Sequence, residues 1–375
     1  MFPAGHTTRQ QIDGHRPYKI SLMDSIYISA KKILERIPIE ASAPCRIDSG
    51  GTWDIKALAL PLERIEPTTV NMALSLRTSV ELQPFNDGWV RIVSDGFTHA
   101  KKQNIKNPAF NPPFGLFFAT VSHFGFHGLT VNIASDSPPR SGLGGSSTAL
   151  VALIKALSKL RKIMGGKDLS DKKILHLAYH LEDGISGGNC GIQDQAAAVY
   201  GGVNRWIWSY GDGESLSKKE SLLDKQGEKE LSDRILVAFS GESHVSSKIN
   251  RSWIKDFLKG RTRAGWIASN HMVSNLAKAI KDRDWNNAAG LLREEMSIRR
   301  EITPDVLIPI TSRLIDLAED MGCGARFAGA GGGGSVWALG ESHLIKRLRK
   351  RWEKALASVK GARILDCAID HIGVR

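Results

Sequence analysis

Two carboxylates on either side of a glycine-containing stretch could bind a metal ion and activate a hydroxyl group. Glu182 ends an apolar helical segment, and Asp194 follows 12 residues later, in the run Gly-Ile-Gln-Asp-Gln at 191–195. One carboxylate can bind Mg²⁺, a hard cation that prefers oxygen ligands. The other can orient or deprotonate a hydroxyl group. Two surface carboxylates near a helix boundary would give the same pattern, so the pair needs support from other residues.

A glycine-rich loop before a predicted helix favours an anion site. Residues 137–147 read Ser-Pro-Pro-Arg-Ser-Gly-Leu-Gly-Gly-Ser-Ser. Glycine lets the backbone approach a ligand closely, and the first amides of a helix lack intrahelical partners and attract phosphate. The hydroxyl groups of Ser146 and Ser147 could bind phosphate or Mg²⁺. The loop lacks the Lys of a P-loop and the spacing of a dinucleotide fingerprint, and an ordinary helix cap is the alternative.

Two more segments could contact a phosphorylated or hydroxylated ligand. Residues 329–334 contain five glycines in six positions, so they could lie flat against a ligand. Residues 43–54 read Ala-Pro-Cys-Arg-Ile-Asp-Ser-Gly-Gly-Thr-Trp-Asp. There Arg46 could stabilise a transferring phosphoryl group, and Asp54 could bind two sugar hydroxyls. A plain glycine turn and a hairpin with a surface ion pair are the alternatives.

The elements that must position these residues follow from hydrophobic periodicity. Strand patterns cover 41–47, 69–80, 129–134, 235–239 and 335–339. Helical patterns cover 148–160, 172–183, 266–280, 285–300 and 308–321, and the segment 195–200 is short and alanine-rich. Strands dominate the first third and helices much of the rest, which predicts an α+β fold with two lobes.

Composition is that of a globular protein with an excess of basic residues. The 375 residues are 42% hydrophobic and 24% charged, with a formal net charge of +12. Such a field can attract nucleic acid or anionic nucleotides and phosphorylated metabolites. The positive charges are scattered except for a cluster at 346–351, which we interpret as a solvated helix face. No aromatic-basic stretch or zinc module supports a nucleic-acid partner.

Cysteine spacing and hydropathy predict a cytoplasmic location. The four cysteines, Cys45, Cys190, Cys323 and Cys367, form no C-x-x-C motif, and their small number favours a reducing compartment. The first 30 residues lack the apolar region of a signal peptide. No apolar run approaches the roughly 18 residues of a membrane span, so we predict no membrane partner.

In their order along the chain, these elements resemble the GHMP kinase superfamily, which includes galactokinase, homoserine kinase and mevalonate kinase. Residues 138–146 match the middle motif P-x-x-x-G-L-[GS]-[ST]-S, with Gly145 in place of the usual Ser or Thr. Glu182 and the run at 191–195 match a galactokinase-like segment, and 324–334 matches the glycine-rich third motif.

The first motif is similar to that of one branch of the superfamily. Residues 43–54 resemble A-P-x-R-I-x-x-x-G-G-x-T-D of D-glycero-D-manno-heptose phosphate kinases and L-fucokinases, although the chain is one residue shorter there and has Trp53 in place of Thr. The resemblance runs from about residue 41 to the last residue. It predicts an N-terminal extension at 1–40, an ATP-binding domain at 41–225 and a C-terminal domain at 226–375.

The resemblance implies a two-lobed fold, with an N-terminal lobe like ribosomal protein S5 domain 2 and a ferredoxin-like C-terminal lobe. It implies an ATP- and Mg²⁺-dependent kinase that phosphorylates a sugar or sugar phosphate of the heptose 7-phosphate, fucose or galactose type.

It also implies roles for single residues. Asp194 would act as base or orienting carboxylate, Arg46 would support the transferred group, and Ser146 and Glu182 would hold Mg²⁺. The implied nucleotide-binding residues are Pro138, Gly142, Leu143, Gly144, Gly145, Ser146 and Ser147. The implied sugar-binding residues are Gly50, Gly51, Asp54, Gly191, Gly331 and Gly332.

Other functions stay open at this point. A mevalonate-type enzyme or an ATP-dependent diphosphomevalonate decarboxylase would share the fold, although the segment 189–195 favours the sugar branch. A non-catalytic ligand sensor is a further alternative. It would not need Ser146, Glu182 and Asp194 together.

Overall fold

Two large sheets covered by helices carry the fold. The computed structural model describes residues 27–375 except 51, 212–215 and 244–245. In this part of the chain there are a seven-stranded sheet, a four-stranded sheet and a two-stranded pair.

The strands are β1 (Ile28–Ser29), β2 (Ile39–Ser49), β3 (Thr68–Pro84), β4 (Trp89–Ser94), β5 (Lys101–Asn104), β6 (Phe126–His127), β7 (Leu129–Ser135), β8 (Val203–Trp208), β9 (Ser217–Ser221), β10 (Ile235–Phe239), β11 (Gly324–Phe327), β12 (Ser335–Leu339) and β13 (Arg363–Leu365). The helices are α1 (Lys31–Leu34), α2 (Lys56–Ala59), α3 (Gly115–Phe124), α4 (Gly145–Ile163), α5 (Asp171–Ser186), α6 (Gln193–Tyr200), α7 (Lys225–Ser232), α8 (Ser246–Leu258), α9 (Arg263–Lys281), α10 (Trp285–Ile302), α11 (Pro309–Glu319) and α12 (Ser342–Leu356).

The seven-stranded sheet is built around β3. Its strands run in the order β5-β4-β7-β3-β8-β9, and β2 pairs with the other edge of β3. The β4–β7 pair is parallel and the other pairs are antiparallel. The first half of β3 is buried at every position from Thr68 to Leu74, whereas burial alternates from Thr78 to Leu82. This pattern means that helices cover both faces of the sheet near the start of β3 and one face near its end.

Helix α4 is the central helix on this sheet. It packs against β2 and β3 and is flanked by α3, α5 and α6. Twelve of its 19 residues are buried, so its position is fixed on several sides. The loop before α4 is therefore held in one place relative to β2 and α6.

The four-stranded sheet has the order β11-β12-β10-β13 with antiparallel pairs throughout. Helix α10 packs against α9 and β11, and α11 packs against α12 and β11. One hydrophobic cluster contains Ile47 and Val70 of the first sheet together with Val237 and Leu276 of this second unit. The two sheets therefore share a buried interface.

The end of the chain returns to the first sheet. Ser42 and Arg375 exchange two backbone hydrogen bonds of 3.0 Å, and Ile369 forms an isolated bridge with Leu74. The predicted boundary between 225 and 226 falls at the first residue of α7 and stays a prediction. Most of the predicted extension, 1–40, lies outside the described residues.

The basic cluster at 346–351 lies on α12, where Lys346, Arg347 and Lys350 are exposed, as a solvated face requires. None of the helices in the described ranges is long and apolar enough to cross a membrane.

Candidate active site

A cavity of about 530 Å³ lies where the loop before α4, the loop before α6, β2 and the turn after β11 meet. Most of the residues that the sequence singled out line it. They are Arg46, Asp54, Pro138, Gly142, Gly144, Gly145, Ser146, Ser147, Glu182, Gly191 and Asp194. Side chains from three separate sequence motifs therefore share one site.

Four of the predicted site residues do not line the cavity, and a fifth, Gly51, lies outside the described residues. Leu143 is fully buried in the core between the sheets. A Cβ added at Gly50 would meet Val273. One added at Gly331 would meet Val306, and one added at Gly332 would meet Ile249. These glycines adjoin core side chains rather than the cavity, and Gly329 and Ala330 of the same run line it instead.

The start of α4 is built to receive an anion. The helix begins at Gly145, three residues before the predicted start, so Ser146 and Ser147 lie in its first turn. Its N-cap, Gly144, has a φ of +78° and supplies no side-chain cap. The first amides of α4 thus have no capping side chain, which leaves them available to phosphate oxygens.

Asp194 and Arg46 form the central ion pair of the cavity. Asp194 is the second residue of α6, and its Oδ1 accepts a 2.8 Å hydrogen bond from Nε of Arg46 and forms an ion pair with Nη2 of Arg46, also at 2.8 Å. Arg46 also donates to the carbonyl of Gly142 at 2.5 Å. A Cβ on Gly144 would lie 3.3 Å from Asp194 Oδ2. The carboxylate therefore faces the loop before α4.

A buried ionic network behind Arg46 ties the two sheets together. Asp48 is fully buried and lies 3.6 Å from Arg46 and 3.1 Å from Arg326 of β11. Its Oδ1 accepts a 2.8 Å hydrogen bond from the amide of Gly329. Nε of Arg326 also lies 3.4 Å from Oε2 of Glu295 on α10. Although burial alone would raise the pKa of Asp48, the guanidinium groups of Arg46 and Arg326 hold it below its ordinary value.

Neither Asp48 nor Arg326 was predicted from the sequence. The spacing of Arg46 and Asp48 was a usable signal for Asp48. The two residues are two apart on β2, and residues two apart on a strand share a face. A charged pair on one face of an otherwise apolar strand indicates a buried or functional site. Arg326 lies 278 residues from Asp48, and nothing local in the sequence joins the two.

Replacing Asp48 by Asn should lower the free energy of unfolding by about 3–5 kcal/mol, because two buried guanidinium groups would lose their shared counter-charge. Urea denaturation of the variant and the wild type measures this loss. Asp316→Asn is the matched control, since Asp316 pairs with Arg300 at 2.7 Å but is 61% exposed, and we expect its loss to stay below about 1 kcal/mol. Equal losses in the two variants would contradict a special role for the buried network.

Asp54 is held against the backbone of the loop before α6. Its Oδ1 accepts from the amide of Thr52 at 3.0 Å, and its Oδ2 accepts from the amide of Gln193 at 2.9 Å. A Cβ on Gly191 would lie 1.9 Å from Asp54 Oδ2, so only glycine fits there. Burial raises the pKa of Asp54 to about 6. The hydrogen bond from Gln193 acts in the opposite direction and lowers this pKa, whereas the nearby charge of Asp194 adds to the rise.

Glu182, near the end of α5, is the carboxylate that could hold a metal ion. Its Oε2 accepts a 2.7 Å hydrogen bond from Gln195. Burial raises the pKa of Glu182 to about 7. The Ser147 hydroxyl lowers this pKa, whereas the charge of Asp194 contributes to the rise. Ser147 lies beside Ser146 in the first turn of α4 and also lines the cavity, so both hydroxyls are candidates for the same ion.

These donors fit magnesium. They are oxygens of a carboxylate and hydroxyl groups, beside a helix start that can receive phosphate, and Mg²⁺ typically combines one or two carboxylates with phosphate and water. Among the described residues, no group of three or more His, Cys, Asp or Glu side chains could form a metal cluster. An all-protein metal cage is therefore not the arrangement found in this part of the chain.

One end of the cavity is apolar, and its residues were not predicted from the sequence. Phe97, Pro113, Phe117 and Ile133 line this end. Phe97 packs on Phe114 with ring centroids 4.8 Å apart. The four lining residues come from three separate parts of the chain, namely the turn after β4, the start of α3 with the loop before it, and β7, and the fold brings these parts together. Such a surface suits a flat heteroaromatic ring.

Two family models match two separate parts of this chain. The family model described as GHMP kinases N terminal domain matches residues 114–202, and the one described as GHMP kinases C terminal matches residues 276–358. The first match contains the loop before α4, Glu182 and Asp194. The second contains Arg326 and the glycine run after β11.

Two relatives and one solved structure illustrate the range of similar proteins. The chain is 25% identical over 332 residues to the bifunctional fucokinase/GDP-fucose pyrophosphorylase of Arabidopsis thaliana, covering 83% of this chain and 31% of the plant protein. It is 27% identical over 227 residues to the D-glycero-alpha-D-manno-heptose 7-phosphate kinase of Campylobacter jejuni, covering 59% of this chain and 65% of that protein. It thus spans less than two thirds of either relative.

The structure of Methanococcus jannaschii mevalonate kinase superposes with a TM-score of 0.67 at 19% identity, covering 89% of this chain and 98% of that one. This likeness, together with the two sheets, confirms the predicted two-lobed α+β fold.

Proposed function

Because this chain belongs to the GHMP kinase superfamily, we propose that it is an ATP-dependent sugar kinase. It transfers the γ-phosphoryl group of ATP to a hydroxyl group of a sugar or sugar phosphate of the heptose 7-phosphate, fucose or galactose type. The observation that carries this proposal is the placement of the Asp194–Arg46 pair between an uncapped helix start and the Asp54 carboxylate, within one cavity.

The nucleotide takes the side of the cavity formed by the loop before α4. Its phosphates bind the first amides of α4 and the hydroxyls of Ser146 and Ser147. The adenine ring occupies the apolar end near Phe97 and Phe117, because that end can exclude water from a flat ring. Both surfaces border the same cavity.

The chemical step is an in-line displacement at the γ-phosphorus. The acceptor oxygen forms a bond to phosphorus while the bond to the bridging oxygen of ADP breaks, and ADP leaves. The hydroxyl proton passes to Asp194, whose Oδ2 accepts no hydrogen bond within the described residues, whereas Oδ1 is occupied by Arg46. Arg46 supports the charge of the transferred group. Phosphoryl transfer needs mainly positioning and charge stabilisation, which these residues supply.

Glu182 and Ser146, with Ser147 beside them, would hold magnesium. When bound, the ion supplies positive charge to the phosphate oxygens. The protein's contribution is the position of the carboxylate, which the hydrogen bond from Gln195 fixes. On the acceptor side, Asp54 accepts hydrogen bonds from sugar hydroxyls, and Gly191 leaves room for it.

The first test is ADP formation by the purified chain with ATP and Mg²⁺, in the presence and absence of a panel of free and phosphorylated sugars. We expect one or more sugars to stimulate ADP formation strongly. Stimulation by none of the sugars would overturn the proposal. The predicted cytoplasmic location and the predicted lack of nucleic-acid partners are separate expectations that this assay does not address.

Glu182→Gln should raise the Mg²⁺ concentration needed for half-maximal activity by tenfold or more, because the variant loses a charged oxygen ligand, and each 1.4 kcal/mol of binding corresponds to about tenfold in affinity. Titrating MgCl₂ at constant ATP measures this change. Glu319→Gln on α11, which removes a carboxylate paired with Arg300 away from the cavity, is the control. An unaltered Mg²⁺ requirement in Glu182→Gln would show that this carboxylate is not a ligand.

The KM for the acceptor should rise as the pH falls. The pKa of Asp54 is raised to about 6, so the carboxylate that accepts sugar hydroxyls is charged above pH 6 and becomes protonated below it. One pH unit below the pKa only about a tenth remains charged, and we expect KM at pH 5 to be about tenfold above its value at pH 8. Asp54→Asn should have a high KM that no longer varies in this interval. A constant wild-type KM would contradict the role of Asp54.

A further inference from the structure

Two histidines lie one helical turn apart on α5, outside the cavity. His176 and His180 are four residues apart in sequence, and side chains at this spacing lie on the same face of a helix. Both are exposed, and neither lines the cavity described above. We infer that this pair is a binding site for a divalent transition-metal ion of the zinc, nickel or copper class. The inference does not depend on the proposed kinase activity or on the magnesium site.

The distance between the two rings fits a shared ion. Nε2 of His176 and Nε2 of His180 lie 3.1 Å apart. Since metal–imidazole bonds are about 2.0–2.1 Å long, two such nitrogens on one ion lie about 2.8–3.0 Å apart at a right angle and about 3.3–3.4 Å apart at a tetrahedral angle. The ring centres are 4.2 Å apart, farther than the nitrogens, so the rings turn Nε2 toward each other. Small ring adjustments are enough for both nitrogens to bind one ion.

The proton between the rings does not prevent this binding. Between two neutral rings, the contact is a hydrogen bond in which one Nε2 carries the proton and the other accepts it. Neutral imidazole is the form that binds metal ions. When an ion binds, the donating ring carries its proton on Nδ1 instead, and both Nε2 lone pairs are then available. Binding therefore requires a change of tautomer in one ring, and no proton leaves the pair.

The ligand atoms determine which ions the pair selects. Imidazole nitrogen suits Zn²⁺, Ni²⁺ and Cu²⁺, whereas Mg²⁺ prefers oxygen ligands. Within the described ranges, no third His, Cys, Asp or Glu side chain joins the two rings in a metal-binding group. Water therefore fills the other coordination positions, which the exposure of both rings permits. Because affinity for a given set of ligands is highest for Cu²⁺, we expect Cu²⁺ to bind more tightly than Ni²⁺ or Zn²⁺.

The charges around the pair do not exclude a cation. Lys56 and Asp183 act on His180 in opposite directions, and these two groups form an ion pair with each other at 3.2 Å. Lys172 and Lys173 lie about one turn before the pair on α5 and are exposed, so water and salt screen their charge. The positive charge close to the rings is thus partly neutralised and partly screened.

Copper binding to the purified chain, measured without ATP, tests the inference. Removing either ring leaves a single ligand, and the second ligand of a chelate binds at a high effective concentration. We therefore expect His176→Gln and His180→Gln each to lower the affinity for Cu²⁺ at this site at least tenfold. His343→Gln is the matched control, because His343 is an exposed histidine on α12 with Leu339 and Arg347 four residues away. It should bind Cu²⁺ as the wild type does.

Electron paramagnetic resonance of the bound Cu²⁺ identifies the ligand atoms in the same samples. We expect hyperfine coupling to two imidazole nitrogens in the wild type and in His343→Gln, and the loss of this signal in both α5 variants. An ion held by the oxygens of Glu182 would lack this coupling. The same affinity and the same spectrum in the wild type and in His176→Gln would overturn the inference.

Thermal unfolding with Zn²⁺ provides a second measurement. The two nitrogens are held together only while α5 is folded, so bound Zn²⁺ stabilises the folded chain by mass action. At a free Zn²⁺ concentration of about 100 times the Kd, we expect Tm of the wild type to rise by about 3 °C. His176→Gln should show a smaller rise and His343→Gln the full one. An equal rise in the wild type and in His176→Gln would place the ion elsewhere and contradict the site.

Discussion

Asp194→Asn is expected to lower kcat for phosphoryl transfer by about 10²- to 10⁴-fold, the usual contribution of a general base. The amide preserves the shape of the side chain and can still accept a hydrogen bond from Arg46 through Oδ1. It cannot take the proton of the acceptor hydroxyl, and its neutral group no longer orients that hydroxyl by charge. We therefore expect the KM values for ATP and acceptor to stay near those of the wild type, which steady-state kinetics with both substrates varied will measure.

A helix-capping role for Asp194 would predict the opposite result, because Asn caps helices about as well as Asp. The structure already limits that role, since the N-cap of α6 is Ile192 and the Asp194 side chain bonds to Arg46 instead. Asp316→Asn, which makes the same change in an exposed Asp–Arg pair, is the kinetic control and should retain full kcat. Near-native turnover of Asp194→Asn would contradict a catalytic role for Asp194.

Gly191→Ala should reduce kcat/KM for the acceptor by about 100-fold or more while the KM for ATP changes little. The added methyl group would lie 1.9 Å from Oδ2 and 2.5 Å from Cγ of Asp54, so the carboxylate has to move. Its hydrogen bonds from Thr52 and Gln193 would be lost or distorted. Each hydrogen bond between the displaced carboxylate and a sugar hydroxyl is worth about 1.5–3 kcal/mol, and two of them exceed a factor of 100.

Gly184→Ala provides the matched control for this variant. Gly184 lies in α5, seven residues before Gly191, and an added Cβ meets no atom within 4 Å. We expect unchanged kinetics and a gain in stability of up to about 1 kcal/mol, the helix propensity difference between Ala and Gly. Should Gly191→Ala bind the acceptor as tightly as Gly184→Ala does, Asp54 would not be part of the acceptor site.

Elements with strong, uninterrupted patterns were predictable from the sequence. The predicted strands 235–239 and 335–339 coincide with β10 and β12, because short apolar runs between polar or glycine-rich segments leave few other options. Helix α4 was predicted to begin at 148, where its apolar residues begin, and Gly145 to Ser147 were assigned to the loop. Glycine and serine favour caps and turns, and only tertiary packing extends the helix over them.

Helix α3 was not predicted, for a related reason. Six of its ten residues are buried, on more than one side of the helix, so the amphipathic period that reveals a surface helix is weak. The Pro-rich loop before it gave no start signal either.

The candidate site, like the fold, was predictable from the sequence only in part. Motif order was enough to predict that Asp194, Glu182, Arg46 and the loop before α4 would meet, and the cavity brings them together. The glycines at 50, 331 and 332 could not be told from cavity-lining ones, because a glycine forced by a crowded core and one forced by a ligand look alike in sequence. The link between Asp48 and Arg326 joins strands of two different sheets, which local patterns do not encode.

ATP labelled at the γ-phosphorus provides the decisive test for transfer of the γ-phosphoryl group to a sugar hydroxyl. The purified chain is incubated with this ATP, Mg²⁺ and the sugar that best stimulates ADP formation, and the products are separated and counted. We expect a labelled sugar phosphate that appears in step with ADP, one label for each ADP, and is absent with Asp194→Asn. Release of the label as inorganic phosphate, with no labelled sugar, would contradict this transfer.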